Sequence, residues 1–429
     1  MDAPRWRSSA MSASSSGSRL PVMASPVAPG ELAPRTARTA GTVQGVILIT
    51  VPLFSMMGAM LMAPLLPTMQ ASFPEAPYAR VLVPLLLTAP ALLLALLAPV
   101  AGLVANRFGT RRLLLVSLSL YGIAGTAPIY LRSLETILAS RLLVGVAEAG
   151  LATSAVTLVS AYFSGDARQK WYAYQVMLLP WIGAVLIAIT GWIGDVSWRM
   201  TFGLYAISLL WVLLAKVFLF EPPRLAEAGR GRLPPLRHLL LVAAIQMPGS
   251  LFFYVSAVEV AFLLKEHGAA APSTAANVTA LGLLIGPLGA LLSRKLTHIR
   301  VGTLIAVAMA LMGAGLAVMA LGRDVPVIAI GLVVQQIGGG LLLPTAVTFV
   351  LGLAGPRDRS AYAGVWYSCQ MVGQFLTPLV MSALMWMTGE RARSVLTAAA
   401  LAASTCAWLL SSGALRRPVV APETRIPGP

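Results

Sequence analysis

The chain has 429 residues, of which 58% are hydrophobic and 11% are charged, and its mean hydropathy is +0.81. Because soluble domains carry about 25% charged residues, this composition excludes an ordinary soluble protein and predicts a chain embedded in lipid. The formal net charge is +16, but the basic residues are scattered over short segments between apolar runs. This scatter argues against a nucleic-acid-binding surface, and we expect no nucleic-acid partner.

Twelve apolar runs follow one another along the chain, each long enough to cross a hydrocarbon core of ~30 Å. Since lipid offers the backbone amides no partner, each run is predicted to be a helix. The sequence thus predicts an all-α membrane protein. The runs are 43–66, 81–105, 112–131, 134–161, 174–194, 201–220, 238–264, 275–293, 301–321, 325–353, 361–387 and 394–415.

The distribution of basic residues predicts the orientation. When the segments between runs are assigned alternately to the two sides, 22 of the 31 Lys and Arg residues fall on the side of the N-terminus and 7 on the other. By the positive-inside rule, both termini are expected in the cytoplasm, with the chain integral to the inner (plasma) membrane. The first run is longer than the apolar part of a signal peptide, so no cleavage is expected.

Two hydrophilic stretches divide the chain into parts. We predict a disordered cytoplasmic arm over 1–42, a six-helix half over 43–220, a cytoplasmic linker over 221–237, a second six-helix half over 238–415, and a cytoplasmic tail over 416–429. Ser154-Ala-Val-Thr-Leu-Val159 returns as Thr345-Ala-Val-Thr-Phe-Val350, and Arg168 and Arg359 share the same offset. A compositional coincidence is the alternative. A true repeat predicts two halves related by pseudo-two-fold symmetry, with a substrate site between them.

The fourth run contains two charges, Arg141 and Glu148. A charge at the centre of a membrane helix costs roughly 2.5–3.5 kcal/mol on insertion scales, so such residues are functional candidates. Seven residues are close to two turns, which places both on one helix face. We predict that Glu148 carries a coupling proton beside Arg141; a permanent structural ion pair is the alternative. Glu259 is the other carboxylate within a run, near the outer end, and it fits coupling, a vestibule or snorkelling equally well.

Uncharged polar and aromatic residues within the runs are the candidates for a substrate cavity. Each could instead form helix–helix hydrogen bonds. Gln335 and Gln336 precede Gly338-Gly-Gly340, where an unwound backbone is predicted to line the cavity. Such a cavity suits a small amphipathic or apolar organic solute. The candidates are Gln175, Trp181, Gln246, Tyr254, Gln335, Gln336, Tyr367, Gln370 and Gln374.

No pattern of metal ligands or catalytic pairs is found. Cys369 and Cys406 lie singly in predicted helices, and the three histidines are not clustered. We therefore expect no metal, no cofactor and no enzymatic activity, and we expect a monomer. The expected partners are a small-molecule substrate, protons and the lipid bilayer.

The segment after the second run resembles the Gly-x-Leu-Ala-Asp-Arg-x-Gly-Arg-Arg motif of the major facilitator superfamily. The resemblance implies a gate on the cytoplasmic side, in which the arginines pair with acidic groups or helix-end carbonyls of the other half. The glycines would allow close helix approach and a tight turn. This chain has Asn where the family has Asp, which implies a weaker contact. The segment reads Gly102-Leu-Val-Ala-Asn106-Arg107-Phe-Gly109-Thr-Arg111-Arg112.

Further segments resemble the same family. Arg141 to Gly150 resembles its proton-coupling motif, Trp198-Arg-x-x-Phe202 is frequent in it, and Gly373 to Pro378 resembles a stretch of exporter-like members. The antiporter signature of helix five is not in this sequence. The resemblance implies a secondary active transporter that moves a small organic solute by alternating access, as a proton-coupled exporter of a drug or metabolite. A proton-coupled uptake permease and a non-transporting receptor of the same fold are the alternatives.

Overall fold

A computed structural model describes residues 40–76, 78–222, 233–296, 298–355 and 358–411. Most of the predicted arm, part of the linker and the whole tail lie outside these residues. Within them the regular structure is helical, and twelve helices are long and apolar enough to cross a membrane. The predicted all-α membrane fold with twelve spans is confirmed.

We number these helices α1 to α12. Three of them contain a short 3₁₀ segment: Ala63–Leu65 in α1, Ala127–Ile129 at the end of α3, and Phe202–Ala206 in α6. The bounds are α1 Thr42–Ala71, α2 Ala79–Phe108, α3 Thr110–Ile129, α4 Leu134–Tyr162, α5 Gly165–Val196, α6 Trp198–Phe218, α7 Leu236–Glu266, α8 Pro272–Lys295, α9 Val301–Leu321, α10 Val325–Gly352, α11 Arg359–Thr388 and α12 Arg391–Ser411.

The helices form two sets of six, and each set has its own core. One core draws almost entirely on α1 to α6, with Val258 and Phe262 of α7 added, and the other draws on α7 to α12. The repeated segments bury matching positions: the first, second, fifth and sixth residues of 154–159 and of 345–350 are buried. The repeat in the sequence therefore corresponds to equivalent packing in the two halves.

The prediction of an unwound backbone at Gly338–Gly340 is wrong, because α10 is helical from Val325 to Gly352. The glycines serve close packing instead. A Cβ at Gly338 would lie 2.8 Å from the carbonyl oxygen of Ala308 in α9, and one at Gly340 would collide with the carbonyl of Gly286 in α8. Glycine lets the neighbouring helix backbones approach α10 this closely.

The halves contact each other through α2 with α11 and through α5 with α8. On the side of the bundle opposite Thr42, a Cβ at Gly191 of α5 would collide with Ala276 of α8, and one at Gly194 would lie 3.2 Å from Pro272 of α8. Asp195 of α5 there accepts a hydrogen bond from the backbone N–H of Ser273 in α8, at 2.9 Å. We call this the opposite side, and the side that holds Thr42 the N-terminal side. The halves are closed together on the opposite side.

Candidate functional site

A cavity of about 320 Å³ lies between the two halves. Helices α1, α2, α4 and α5 of the first half and α7, α8, α10 and α11 of the second contribute to its wall. Ligand pockets of proteins span about 300–1,000 Å³, so this volume suits a small solute. Six of the residues singled out in the sequence line it: Glu148, Tyr254, Gln336, Tyr367, Gln370 and Gln374.

Glu148 is the candidate with the least usual surroundings. Its residue surface is 4% exposed, yet the described part of the chain offers it neither a hydrogen-bond nor an ion-pair partner. A Cβ at Gly58 of α1 would lie 3.2 Å from Glu148 Oε1 and 3.6 Å from the hydroxyl of Tyr205. Gly58 thus makes room for the carboxyl group between α1 and α4. An ionised carboxylate is costly in such a place unless a cation or donor joins it.

Arg141 does not form an ion pair with Glu148. Its guanidinium is fully buried and donates to the Tyr205 hydroxyl at 2.9 Å and to the carbonyls of Ala124 and Gly125 at 3.0 Å each. Pro128 lacks the N–H that would bond the carbonyl of Ala124 within a continuing helix, so this acceptor is available to Arg141. The two charges interact electrostatically but do not touch.

Two aromatic rings hold the Arg141 guanidinium in place. Its carbon lies 4.8 Å from the ring centre of Tyr205 and 5.2 Å from that of Phe202. Tyr205 therefore contacts Arg141, and its hydroxyl lies on the same side of Gly58 as the Glu148 carboxyl group. The sequence singled out Phe202 within the Trp198-Arg-x-x-Phe202 segment, but it gave no signal for Tyr205, because the residue is one of ten tyrosines and its partners are distant in the chain.

Four cavity candidates do not line the central cavity. Gln335 is fully buried and donates to the carbonyls of Phe252 and Phe253, at 3.2 and 2.8 Å. Gln246 accepts from the Trp366 indole at 2.8 Å and lines a smaller adjoining space. The remaining two, Gln175 and Trp181, lie on α5 but do not line the cavity wall, and Trp181 is 66% exposed.

Glu259 is also placed away from the cavity. It is 4% exposed near the opposite side and forms an ion pair with Arg391 at the start of α12. Arg391 also donates to Glu266 at 3.0 Å, and its guanidinium lies 4.1 Å from the ring centre of Phe262. The geometry thus places Glu259 in a buried ion pair that joins α7 to α12.

The motif after α2 forms a turn that is fastened to its own half. Gly109 has a φ of +102°, a conformation that favours glycine. The carboxylate of Glu221 accepts from the N–H groups of Thr110 and Arg111, at 2.6 and 3.1 Å. Arg111 also donates to the carbonyl of Lys216 at 2.6 Å. The sequence missed Glu221, which caps the start of α3 from the segment that follows α6.

The other motif residues make fewer contacts in this conformation. No atom would lie within 4 Å of a Cβ at Gly102, so the expectation that it brings two helices together does not hold here. Asn106, Arg107 and Arg112 are exposed on the N-terminal side. The turn expected at Gly109 is present.

An apolar groove of about 430 Å³ lies between the halves toward the N-terminal side. Val156 of α4 forms one wall, and Leu351 of α10 and Gly364 of α11 belong to the other. Tyr367 lines both this groove and the central cavity. Val156 lies eight residues beyond Glu148, or about 12 Å along the helix. The groove therefore lies on the N-terminal side of the cavity.

Twelve membrane helices in two halves around a central cavity define a membrane transporter of small solutes. The family model described as the Major Facilitator Superfamily matches residues 47–378. The chain belongs to this family and is an integral multi-pass membrane protein.

Curated relatives match parts of the chain. The bacillibactin exporter of Bacillus subtilis is 26% identical over 182 residues, which are 41% of this chain and 40% of the relative. The inner membrane metabolite transport protein YdjE of Escherichia coli is 29% identical over 30% of this chain and 29% of its own length. Human protein spinster homolog 1 is 32% identical over 33% and 28%. The chain thus matches less than half the length of each of these relatives.

Solved structures match nearly the whole chain in fold. A POT family transporter in complex with 5-aminolevulinic acid aligns with a TM-score of 0.72 and 13% identity, over 88% of this chain and 96% of that one. A bacterial homologue of the human lysosomal transporter Spinster, inward-facing and unoccupied, aligns with a TM-score of 0.64 and 16% identity over the same shares. These likenesses establish the fold.

Proposed function

We propose that the chain moves a small organic solute out of the cell by alternating access and is driven by protons. The observation that carries the proposal is the carboxyl group of Glu148, buried on the central cavity without a described partner. Since an ionised carboxylate is costly there, proton binding and solute binding at Glu148 are linked. Binding that depends on conformation can then drive the transport cycle.

The surrounding residues have separate roles in this proposal. Arg141 provides a fixed positive charge near Glu148 and does not move with the solute, because both of its terminal nitrogens donate to groups of the first half. Glu259 is the second candidate for a proton-carrying group, but its ion pair with Arg391 must break first. The cavity candidates that line the wall bind the solute: Tyr254, Gln336, Tyr367, Gln370 and Gln374.

The motif from Gly102 to Arg112 is proposed to control closure on the N-terminal side. Here Arg111 contacts its own half, through the carbonyl of Lys216. Arg107 and Arg112 are exposed, so they are available to the other half when the groove closes. Gly109 and Glu221 hold the turn that presents them.

Efflux is supported by the similarity to the bacillibactin exporter and by the exporter-like stretch from Gly373 to Pro378. Uptake of a metabolite is the second candidate, because YdjE is a metabolite transport protein and the antiporter signature of helix five is not found. No observation favours a non-transporting receptor.

We also propose the orientation predicted from the sequence. The 22-to-7 distribution of basic residues supports a cytoplasmic arm over 1–42, linker over 221–237 and tail over 416–429. The halves over 43–220 and 238–415 then span the inner (plasma) membrane. The apolar groove faces the cytoplasm in this orientation, which is the side from which an exporter loads its solute. We expect the transporter to act as a monomer.

The test begins with a thermal-stabilisation screen of purified protein against small organic solutes. Each stabilising solute is then added to liposomes that contain the protein and the trapped pH dye pyranine. We expect an imposed pH gradient to accumulate the solute while protons move in the opposite direction. Solute flux that is equal with the gradient, without it and with a protonophore would contradict proton coupling.

A further inference from the structure

The charge of the cavity wall limits which solutes the cavity can hold. Among the described residues that line it, Glu148 is the one with a formal charge, and the others are apolar, aromatic, amide, hydroxyl or thioether groups. The wall thus has one acidic group and no basic one. This asymmetry disfavours an anion, because the wall has no basic group to offset its repulsion by an ionised Glu148.

Among the residues that the structure describes, no side-chain cation forms an ion pair with Glu148. The guanidinium of Arg141 is fully buried, and its contacts are the Tyr205 hydroxyl, two carbonyls and two rings. The ion pairs of the described residues involve Arg391 and Arg393, both at the opposite side. The carboxyl group therefore needs either a proton or a cation that enters the cavity.

The remaining wall suits the body of an organic cation. Phe253, Tyr254 and Tyr367 provide aromatic surfaces, which attract cations through their negative faces. Met60 and Met371 add thioethers that adapt to irregular apolar shapes. The amides of Gln336 and Gln374 also line the cavity and can hydrogen bond to polar substituents.

We propose that the transported solute is an amphipathic organic cation with a single positive charge, which binds at Glu148 in competition with a proton. This inference rests on the proposed function, in which Glu148 carries the coupling proton. One positive charge enters the site as one proton leaves it. The site therefore remains neutral whether it holds the proton or the solute, and it exchanges one for the other.

The experiment uses ethidium, a fluorescent aromatic cation, and its uncharged reduced form dihydroethidium, which has nearly the same size. Binding to the purified full chain is measured at several pH values, with dihydroethidium kept under anaerobic conditions. We expect saturable ethidium binding that tightens as the pH rises and releases about one proton per cation into a weakly buffered solution. Dihydroethidium should bind at least about tenfold more weakly.

Two variants test whether Glu148 is responsible for the pH-dependent binding of ethidium. Size-exclusion profiles and thermal unfolding must first show that both variants are folded. Glu148→Gln should weaken ethidium binding at least about tenfold and remove its pH dependence. The matched variant Glu266→Gln changes a partly exposed carboxylate outside the cavity, and it should bind ethidium as the wild type does.

The outcomes separate this inference from the proposed function. Folded wild type that does not bind ethidium saturably, or binds dihydroethidium equally well, would overturn the cation inference. The same holds if Glu148→Gln binds ethidium with unchanged affinity. If a neutral solute from the screen is still driven by a pH gradient, the proposed function stands while the cation inference fails. Conversely, ethidium that competes with protons but is never driven by the gradient would support the solute class and contradict coupled transport.

Discussion

At the scale of single residues, two buried charges in α4 have different surroundings. Arg141 makes three hydrogen bonds within the first half, whereas Glu148 lies on the cavity without a described partner. A buried charge held by several hydrogen bonds stabilises one arrangement, whereas a buried carboxyl group without any responds to protons and ligands. The seven-residue spacing predicts that both lie on one helix face, but it does not predict which of them has partners.

Replacing Arg141 tests its structural role. Arg141→Ala leaves the Tyr205 hydroxyl and the carbonyls of Ala124 and Gly125 without their donor, at a cost of roughly 1–3 kcal/mol for each buried group that stays unsatisfied. We expect a clear fall in the thermal unfolding temperature of the purified protein. Arg141→Lys keeps the charge but not the planar fork, so its unfolding temperature should lie between the two. An alanine variant as stable as the wild type would show that these contacts contribute little.

At the scale of helices, the sequence predicts the spans well, because lipid demands continuous apolar helices. It does less well at their ends and interruptions. Helix α5 begins at Gly165 rather than at residue 174, since the polar residues before the apolar run are helical as well. The glycines of α10 look like an interruption in sequence, and only the close backbones of α8 and α9 show why they are needed.

Two glycines of the motif after α2 should respond differently to alanine, because Gly109 lies in the turn between α2 and α3 and Gly102 lies within α2. Gly109→Ala forces a Cβ into a positive-φ residue, 2.9 Å from the carboxylate of Glu221, and strain of this kind costs on the order of 1–3 kcal/mol. Gly102→Ala, within the helix and with nothing near its Cβ, should be neutral or slightly stabilising. We expect Gly109→Ala alone to lower the unfolding temperature and slow transport. Equal behaviour of the two variants would contradict the role assigned to the turn.

At the scale of the whole molecule, the repeat and the charge count predict two halves and an orientation, but not the cavity wall. Of nine polar and aromatic candidates, the structure places Tyr254, Gln336, Tyr367, Gln370 and Gln374 on the cavity. The others pack elsewhere. The sequence could not separate the two groups, because the composition of an apolar helix does not show which of its faces meets the opposite half. Tyr205 and Glu221 went unrecognised for a different reason, because their partners within the same half are distant in sequence.

The orientation can be tested by labelling with a membrane-impermeant maleimide. In a background of Cys369→Ala and Cys406→Ala, we expect Arg80→Cys to react in intact cells. Gly229→Cys, in the linker, should react only after the membrane is permeabilised. Labelling of both positions from outside would contradict a cytoplasmic linker with twelve spans.

The most direct test of the account measures gradient-driven transport by Glu148→Gln in liposomes, with a solute identified by the stabilisation screen. Gln has the size of Glu and imitates its protonated form, but it cannot release a proton. We predict that the variant no longer accumulates the solute under an imposed pH gradient, whereas Glu266→Gln and the wild type do. A folded Glu148→Gln protein that still concentrates the solute against its gradient would contradict the claim that Glu148 carries the coupling proton.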